Sequence, residues 1–258
     1  MKVRGRSGRL AVALAALTVG AGALAGCGGS SDDEIKVSAA SSLTSAFNAY
    51  AQTLDNVKVS YSFAGSDELA AQIEQGVRPD VFASANTKLP AALYAKHLVE
   101  KPVVFAGNKL VLAVPAGSGI HSLTDLQKPG TTIAVGSATV PVGTYTETVL
   151  GRLPPDQRLR IAKNIRDREP NVTGIVGKLS EGAVDAGFLY ATDVKAAGGK
   201  LKAIDLPAAL QPNVAYGIAV VSGTSHASQA QDFVAGLLHG SGQSELEKAG
   251  FLPPPTSG

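Results

Sequence analysis

Small and hydroxyl-bearing residues stand at three points where a predicted strand runs directly into a predicted helix. The stretch VSAASSLTSAF contains Ser41 and Ser42 at such a junction, and SFAGSDEL contains Gly65 and Ser66. The third junction, in VPVGTYTE at Val142, is less regular. Ser and Gly are good helix N-caps, so any one junction has an ordinary structural explanation. Three of them together favour a binding use, because helix N-termini present free N–H groups to an anion.

The donors at these junctions indicate which anion they suit. Backbone N–H groups and hydroxyls are uncharged donors aligned with helix dipoles, and they fit a fully deprotonated oxyanion. A protonated anion such as hydrogen phosphate also needs an acceptor for its proton, normally a carboxylate. Asp67 directly follows Ser66. We expect Asp67 to point to solvent, since an inward carboxylate would repel a dianion and favour hydrogen phosphate or arsenate.

Signatures of catalysis are missing from the sequence. There is no GxxxxGK[ST] phosphate loop, no GxGxxG that opens a helix after a strand, no HExxH and no GxSxG. The histidines are scattered without metal-ligand spacing, at His97, His121, His226 and His239. We therefore predict no enzymatic activity, no catalytic residues, no cofactor and no direct metal ligands. An enzyme on the same scaffold, or a lipoprotein with a structural or adhesive role, are the alternatives from other classes.

Short apolar segments alternate with helical ones along most of the chain. Strands are predicted over 35–40, 57–63, 80–85, 108–115, 131–136, 185–190 and 213–221. Helices are predicted over or near 43–54, 68–75, 89–97, 143–152 and 172–180, and over much of 222–246. The least distinctive stretch lies between Leu153 and Glu169. This alternation predicts an α/β fold of parallel sheets flanked by helices, in which ligands bind outside the carboxyl ends of the strands.

The N-terminus has the pattern of a bacterial lipoprotein signal. Four cations precede an apolar run over 10–26, which is short for a membrane span: Lys2, Arg4, Arg6 and Arg9. The motif LAGC resembles a lipobox, and its Cys27 is the only cysteine of the chain. We predict a signal peptide over 1–26, lipid on Cys27 and a polar tether over 27–33. The protein would then lie outside the cell, anchored to the outer face of the membrane, without an intramolecular disulfide.

The charge balance changes when the signal is removed. The whole chain carries 23 Lys and Arg against 21 Asp and Glu, a net charge of +2. Four of those cations leave with the signal, so the mature chain has a net charge of −2. Charge therefore gives no reason to expect a nucleic acid or an anionic membrane surface as a partner.

From Ile35 to Leu252 the chain resembles the molybdate-binding proteins of ABC importers, the ModA family. The stretches that carry the resemblance are AASSLTSAF, SFAGSDELAAQIEQGVRPDVFASA, NKLVLAVP, AVGSATVPVGTY and GFLYATDV. The resemblance implies a two-lobed periplasmic-binding-protein fold of type II, with the oxyanion enclosed between the lobes. The lobes would comprise 34–108 with 217–258, and 109–216.

The family's binding residues can be matched to positions of this sequence. The match implies ligands from the two serines, from two backbone amides and from a tyrosine hydroxyl: Ser42, Ser66, Val142, Val172 and Tyr190. If each serine gives both its hydroxyl and its amide, about seven donors face four oxygens. The resemblance implies capture of molybdate, and of tungstate of nearly equal size, by a monomer that delivers it to a permease and its ATPase. The alternative is a receptor for sulfate or phosphate.

Overall fold

The computed structural model describes residues 34–55 and 57–255. The predicted signal, Cys27 and the tether lie outside the described residues, and the statements about them stay predictions. In the part of the chain that is described, no helix combines the length and apolar character that a membrane span needs.

Strands and helices alternate through the described chain. The strands are β1 Glu34–Ala40, β2 Lys58–Ala64, β3 Val81–Ser84, β4 Val103–Asn108, β5 Leu110–Pro115, β6 Ile133–Gly136, β7 Ile165–Glu169, β8 Ala186–Tyr190, β9 Leu201–Asp205 and β10 Val214–Val220. The helices are α1 Thr44–Ala51, α2 Ser66–Glu74, α3 Lys88–Ala95, α4 Pro141–Gly151, α5 Pro155–Asn164, α6 Val172–Ser180, α7 Ala191–Ala196, α8 Ala227–His239 and α9 Ser241–Ala249. A 3₁₀ turn, Ser41–Leu43, leads into α1.

The strands form two five-stranded sheets of similar design. The first sheet has the order β2-β1-β3-β10-β4, and the second has the order β7-β6-β8-β5-β9. In each sheet the first three strands are parallel, and the fourth is antiparallel to both of its neighbours. We call the first sheet with α1, α2, α3, α8 and α9 lobe I, and the second with α4 to α7 lobe II. The predicted two-lobed α/β architecture is confirmed.

Two crossover segments join the lobes. The first is very short, because β4 of lobe I ends at Asn108 and β5 of lobe II begins at Leu110. The second runs from the end of β9 at Asp205 to the start of β10 at Val214. The prediction of one strand over 108–115 was therefore wrong at its start, because Asn108 ends β4, Lys109 lies outside any strand and β5 begins at Leu110.

Burial of the central strands explains why the sheets form. All four residues of β3, all four of β6 and all five of β8 are buried. Such continuous apolar runs are typical of parallel strands covered by helices on both faces. By contrast β7, with the sequence IRDRE, alternates intermediate and exposed positions at the sheet edge. No strand was predicted there, because its polar residues mask the pattern.

Strand register brings two of the predicted binding junctions to the same level. The parallel pairing of β1 with β2 places Ala40 opposite Ala64. The turns that follow these two residues therefore leave the sheet side by side, which brings Ser42 and Ser66 to one edge of lobe I.

Candidate functional site

A small cavity lies between the two lobes. Lobe I contributes Ala40, Ser41, Ser42, Ala64, Gly65, Ser66 and Ala85 to its lining, and lobe II contributes Val140, Pro141, Val142, Asn171, Val172 and Tyr190. All five residues matched to the family's ligands thus line one cavity, and each is buried: Ser42, Ser66, Val142, Val172 and Tyr190. None of the described residues that line it is charged. Their role in binding stays a prediction.

Helix N-termini converge on this cavity from both lobes. Helix α2 begins at Ser66, α4 begins with Pro141 and Val142, and α6 begins at Val172. The 3₁₀ turn that contains Ser42 leads into α1 from the same side. The N–H groups of a first helical turn have no acceptor within their own helix, and the helix dipole adds partial positive charge there. The cavity is therefore electropositive without a cation.

The Ser66 hydroxyl is held by the neighbouring strand end. The N-cap of α2 is Gly65, and the backbone N–H of Ala85 donates to Ser66 Oγ over 3.1 Å. Because the serine oxygen accepts this bond, its own proton is free to be donated into the cavity. The ordinary explanation of Ser66 as a helix cap is thus replaced by a hydroxyl that a backbone N–H orients toward the cavity.

Tyr190 places an unsatisfied donor in the cavity. Its side chain is 0% exposed, and its hydroxyl is the one buried side-chain polar atom without a hydrogen-bond partner in residues 34–55 and 57–255. Burial raises the pKa of Tyr190 well above its ordinary value, and the charges of Tyr216, Tyr145 and Asp193 add to this. The hydroxyl therefore stays protonated. A buried unpaired hydroxyl costs about 1–3 kcal/mol, so this atom points to a ligand that accepts its proton.

Asp67 lies outside the cavity lining. Its side chain is half-buried, and its Oδ1 atom lies 3.0 Å from the position that a Cβ on Gly65 would take. The same Cβ would lie 2.5 Å from the carbonyl oxygen of Pro170 in lobe II. Asp67 thus lies near the interface between the lobes and not in the cavity lining. The described residues that line the cavity include no carboxylate.

Asp193 is a buried carboxylate near the cavity that the sequence did not single out. Its Oδ2 accepts a hydrogen bond from the Tyr190 backbone N–H over 3.1 Å. Burial raises the pKa of Asp193 to about 7, and this hydrogen bond lowers it in part. Asp193 lines a wider cleft that adjoins the cavity and also includes Ser42, Lys195 and Lys248. A group that titrates near neutral pH therefore lies beside the donors.

Two other neighbours of the site, Asn171 and Tyr216, were also not predicted from the sequence. Asn171 caps α6 by accepting from Gly174 N over 3.2 Å, and Tyr216 contacts Ser42 from behind. The Asn171 cap was recognisable in principle, since it precedes the predicted helix that starts at Val172. Tyr216 was not, because it lies inside a buried strand and reaches the site only through the fold. Among the described residues, no group of three or more His, Cys, Asp or Glu is arranged to hold a metal ion.

Comparison with known proteins agrees with this geometry. Residues 35–252 match the family described as bacterial extracellular solute-binding protein. A relative named molybdate-binding protein ModA, from Mycobacterium tuberculosis, is 34% identical over 227 residues, which cover 85% of this chain and 85% of the relative.

Solved structures share the fold. The periplasmic molybdate-binding protein of Azotobacter vinelandii matches with a TM-score of 0.77 at 21% identity, over 86% of this chain and 100% of that one. The sulfate-binding protein SubI of Mycobacterium tuberculosis matches with a TM-score of 0.76 at 18% identity, over 85% and 86%. At these identities the likeness shows the fold alone, whereas the family match rests on sequence. The chain therefore belongs to the bacterial extracellular solute-binding proteins and, among them, to the ModA family.

Proposed function

We propose that this protein is the substrate-binding component of an ABC importer, which captures molybdate outside the membrane and delivers it to a permease and its ATPase. The observation that carries the proposal is the buried Tyr190 hydroxyl without a partner, in a cavity whose described lining has no charged side chain. Relatives that are called molybdate-binding support the choice of anion. Tungstate, which has nearly the same size and charge, is proposed as a second ligand.

The donors of the cavity are proposed to act in two sets. Ser42 and Ser66 of lobe I would each give a hydroxyl and an amide, while Val142 and Val172 of lobe II would give amides and Tyr190 its hydroxyl. A charge-assisted hydrogen bond contributes roughly 1.5–3 kcal/mol before the cost of desolvation. Seven of them would hold a dianion without a cation, and the set contains no carboxylate that would repel it.

Lobe boundaries, anchoring and assembly are parts of the same proposal. We divide the chain into 34–108 with 217–258, and 109–216, although β10 enters the first sheet already at Val214. The lobes would close over the anion by bending at the two crossovers. Lipid on Cys27 would hold a monomeric receptor at the outer face of the membrane, and it would act in transport without catalysing a reaction.

Isothermal calorimetry on the mature chain from Cys27 tests the proposal. Molybdate and tungstate should bind tightly, and sulfate and phosphate more weakly. Phosphate keeps a proton at neutral pH, and the described lining offers no carboxylate to accept it. A receptor for sulfate is the competing interpretation, since the SubI fold is as similar as that of the molybdate-binding protein. Preference for sulfate or phosphate, or no binding of any of the four anions, would overturn the assignment.

A further inference from the structure

Tyr216 contacts Ser42, a residue of the candidate site, without lining the cavity itself. Its hydroxyl lies 2.9 Å from Ser42 Oγ, and both side chains are buried. Tyr216 belongs to β10, between β3 and β4 in the sheet of lobe I, and it does not line the cavity. It therefore cannot touch an anion there and can act only through Ser42.

The direction of this hydrogen bond follows from counting protons. A serine hydroxyl has one proton to donate, and an oxyanion can only accept, so with an anion in the cavity Ser42 gives its proton to the anion. Ser42 then offers only lone pairs to Tyr216, and Tyr216 must be the donor of the 2.9 Å contact. Each donor in such a chain polarises the next, which strengthens the bond to the anion.

Asn108 helps to fix the Tyr216 hydroxyl. The Asn108 Oδ1 atom accepts from Lys109 N over 2.9 Å, and its Nδ2 donates to Thr192 Oγ1 of lobe II over 2.9 Å. Burial, followed by the charge of Asp193, raises the pKa of Tyr216 well above its ordinary value, while hydrogen bonds with the side chains of Ser42 and Asn108 lower it. An amide nitrogen can only donate, so Asn108 occupies the tyrosine oxygen and leaves its proton for Ser42.

Aromatic contacts hold the Tyr216 ring in place. It packs edge-on against Phe251 and Phe105, with ring centroids 5.3 Å and 6.2 Å away. It also packs against Tyr190, whose ring centroid lies 5.7 Å away. Tyr216 is thus packed between the donors of the two lobes, with little freedom to turn its hydroxyl away from Ser42.

We propose that Tyr216 is a positioning residue that holds Ser42 as a hydrogen-bond donor, and that this disfavours oxyanions that carry a proton. The inference rests on the proposed function and adds the source of its selectivity. Ala85 N–H holds Ser66 in the same way, whereas the Tyr190 oxygen has no partner and keeps lone pairs that can also accept. Without the Tyr216 hydroxyl, the Ser42 oxygen is free to accept the proton of hydrogen phosphate.

The test is Tyr216→Phe in the mature chain, with molybdate and phosphate titrated separately by calorimetry at neutral pH. We expect molybdate to bind about tenfold more weakly, and the ratio of phosphate to molybdate affinity to rise by about tenfold or more. The matched control is Tyr50→Phe. Tyr50 is also a buried tyrosine of lobe I, and its hydroxyl donates to the Phe233 carbonyl over 3.1 Å, away from the cavity lining.

The outcomes separate this inference from the proposed function. If the unmodified protein does not bind molybdate, the proposed function fails and the inference fails with it. If it binds molybdate but Tyr216→Phe changes the affinity ratio no more than Tyr50→Phe does, the inference alone is wrong. In a Ser42→Ala background, Tyr216→Phe should change the ratio no further, and an undiminished effect there would also contradict it.

A second variant covers the case in which Tyr216→Phe does not fold. Asn108→Ala withdraws the donor that occupies the Tyr216 oxygen, so it should raise the phosphate-to-molybdate ratio in the same direction. Far-ultraviolet circular dichroism and a thermal melt establish that each variant is folded before it is titrated. A folded Asn108→Ala with an unchanged ratio would overturn the proposal.

Discussion

At the scale of a single residue, a substitution at Tyr190 should affect ligand binding without lowering the stability of the ligand-free protein. Its hydroxyl is buried without a partner, so its removal gives up no hydrogen bond in the ligand-free protein. Ser66 is a less selective probe, because loss of its oxygen would also leave the buried Ala85 N–H without an acceptor. An effect on binding without an effect on folding is therefore expected at Tyr190 and not at Ser66.

Tyr190→Phe should weaken molybdate binding by about tenfold, the equivalent of one lost charge-assisted hydrogen bond of about 1.4 kcal/mol. The melting temperature without ligand should stay the same or rise, because the variant no longer buries an unpaired hydroxyl. Calorimetry and a thermal melt on the same sample measure the two effects. Unchanged affinity would remove Tyr190 from the site, and a marked loss of ligand-free stability would show that its hydroxyl has a structural partner.

Asp193 couples the site to pH. Its pKa is raised to about 7, so between the ordinary carboxyl range and pH 7 the folded protein holds a proton that the unfolded chain has lost. Stability from this group is therefore greatest at acid pH and declines as the pH rises toward 7. A dianion in the cavity also favours the protonated carboxyl. Lys195 and Lys248 line the adjoining cleft as well.

Affinity for molybdate should accordingly fall as the pH rises through about 7, with proton uptake on binding around and above that point, where the free protein has lost the proton and the complex retains it. Asp193→Asn keeps an oxygen that can accept from Tyr190 N but cannot titrate, so its affinity should be nearly independent of pH. Calorimetry in buffers of different ionisation enthalpy measures the proton uptake. The control is Asp125→Asn, since hydrogen bonds from Lys128, His121 and Ser122 lower the pKa of Asp125 and keep it charged. A pH slope that persists in Asp193→Asn would assign the effect to another group.

At the scale of elements, the junctions were predictable because they are local. At Ser42 and at Ser66, the end of a strand, a small residue and the start of a helix follow one another within a few residues. The local sequence is therefore enough to predict hydrogen-bond donors at both junctions. The pairing of Ala40 with Ala64 then follows from parallel strands of equal length. Among the candidate residues of lobe II, Val142 stood at the less regular of the predicted junctions. Val172 and Tyr190, by contrast, came from the family resemblance, and a proposed ligand such as the Val172 backbone amide leaves no side-chain pattern.

Other elements depend on contacts that are distant in sequence. Tyr216 meets Ser42 only because β10 returns from lobe II to the centre of the first sheet, where its register shifts between Tyr216 and Gly217. The break between β4 and β5 at Lys109 was missed because the residues on both sides, Asn108 and Leu110, are buried and the interruption is a single residue long. Such features follow from the order of strands in the sheets, which hydrophobic periodicity does not encode.

Gly65 limits how closely the lobes approach. A Cβ at this position would lie 2.5 Å from the Pro170 carbonyl oxygen of lobe II, although the backbone at φ −62° and ψ 135° suits any residue. Gly65→Ala should therefore fold normally and obstruct the approach of the lobes, with a cost of about 1–3 kcal/mol and an affinity loss of roughly ten- to hundredfold.

Gly177→Ala is the control for this substitution, because a Cβ on Gly177 meets no atom within 4 Å. Gly177 lies within α6, where alanine is favourable, so this variant should bind as the unmodified protein does and melt slightly higher. Calorimetry compares the two variants. Equal affinities would show that the contact between Gly65 and Pro170 is not required for binding.

At the scale of the whole molecule, side-chain hydrogen bonds join the lobes outside the cavity lining. Lys195 of lobe II donates to the Lys248 carbonyl at the end of α9 in lobe I over 2.6 Å, and Asn108 donates to Thr192 beside the short crossover. The ammonium lies at a helix C-terminus, where a cation is favourable, but it is exposed and contributes little by itself. An anion bound by donors of both lobes would therefore add to the free energy that holds them together.

Binding should consequently both stabilise and compact the protein. At free molybdate a thousandfold above the dissociation constant, linkage gives about 4 kcal/mol, and a chain of this size gains about 2–4 °C per kcal/mol. The melting temperature should rise by roughly 8–16 °C with molybdate and much less with phosphate, and the radius of gyration from small-angle X-ray scattering should fall. In Gly65→Ala both changes should be reduced, because the lobes cannot meet at Pro170. A full thermal shift without compaction in the unmodified protein would mean that the anion binds to one lobe alone, and closure would then not be part of capture.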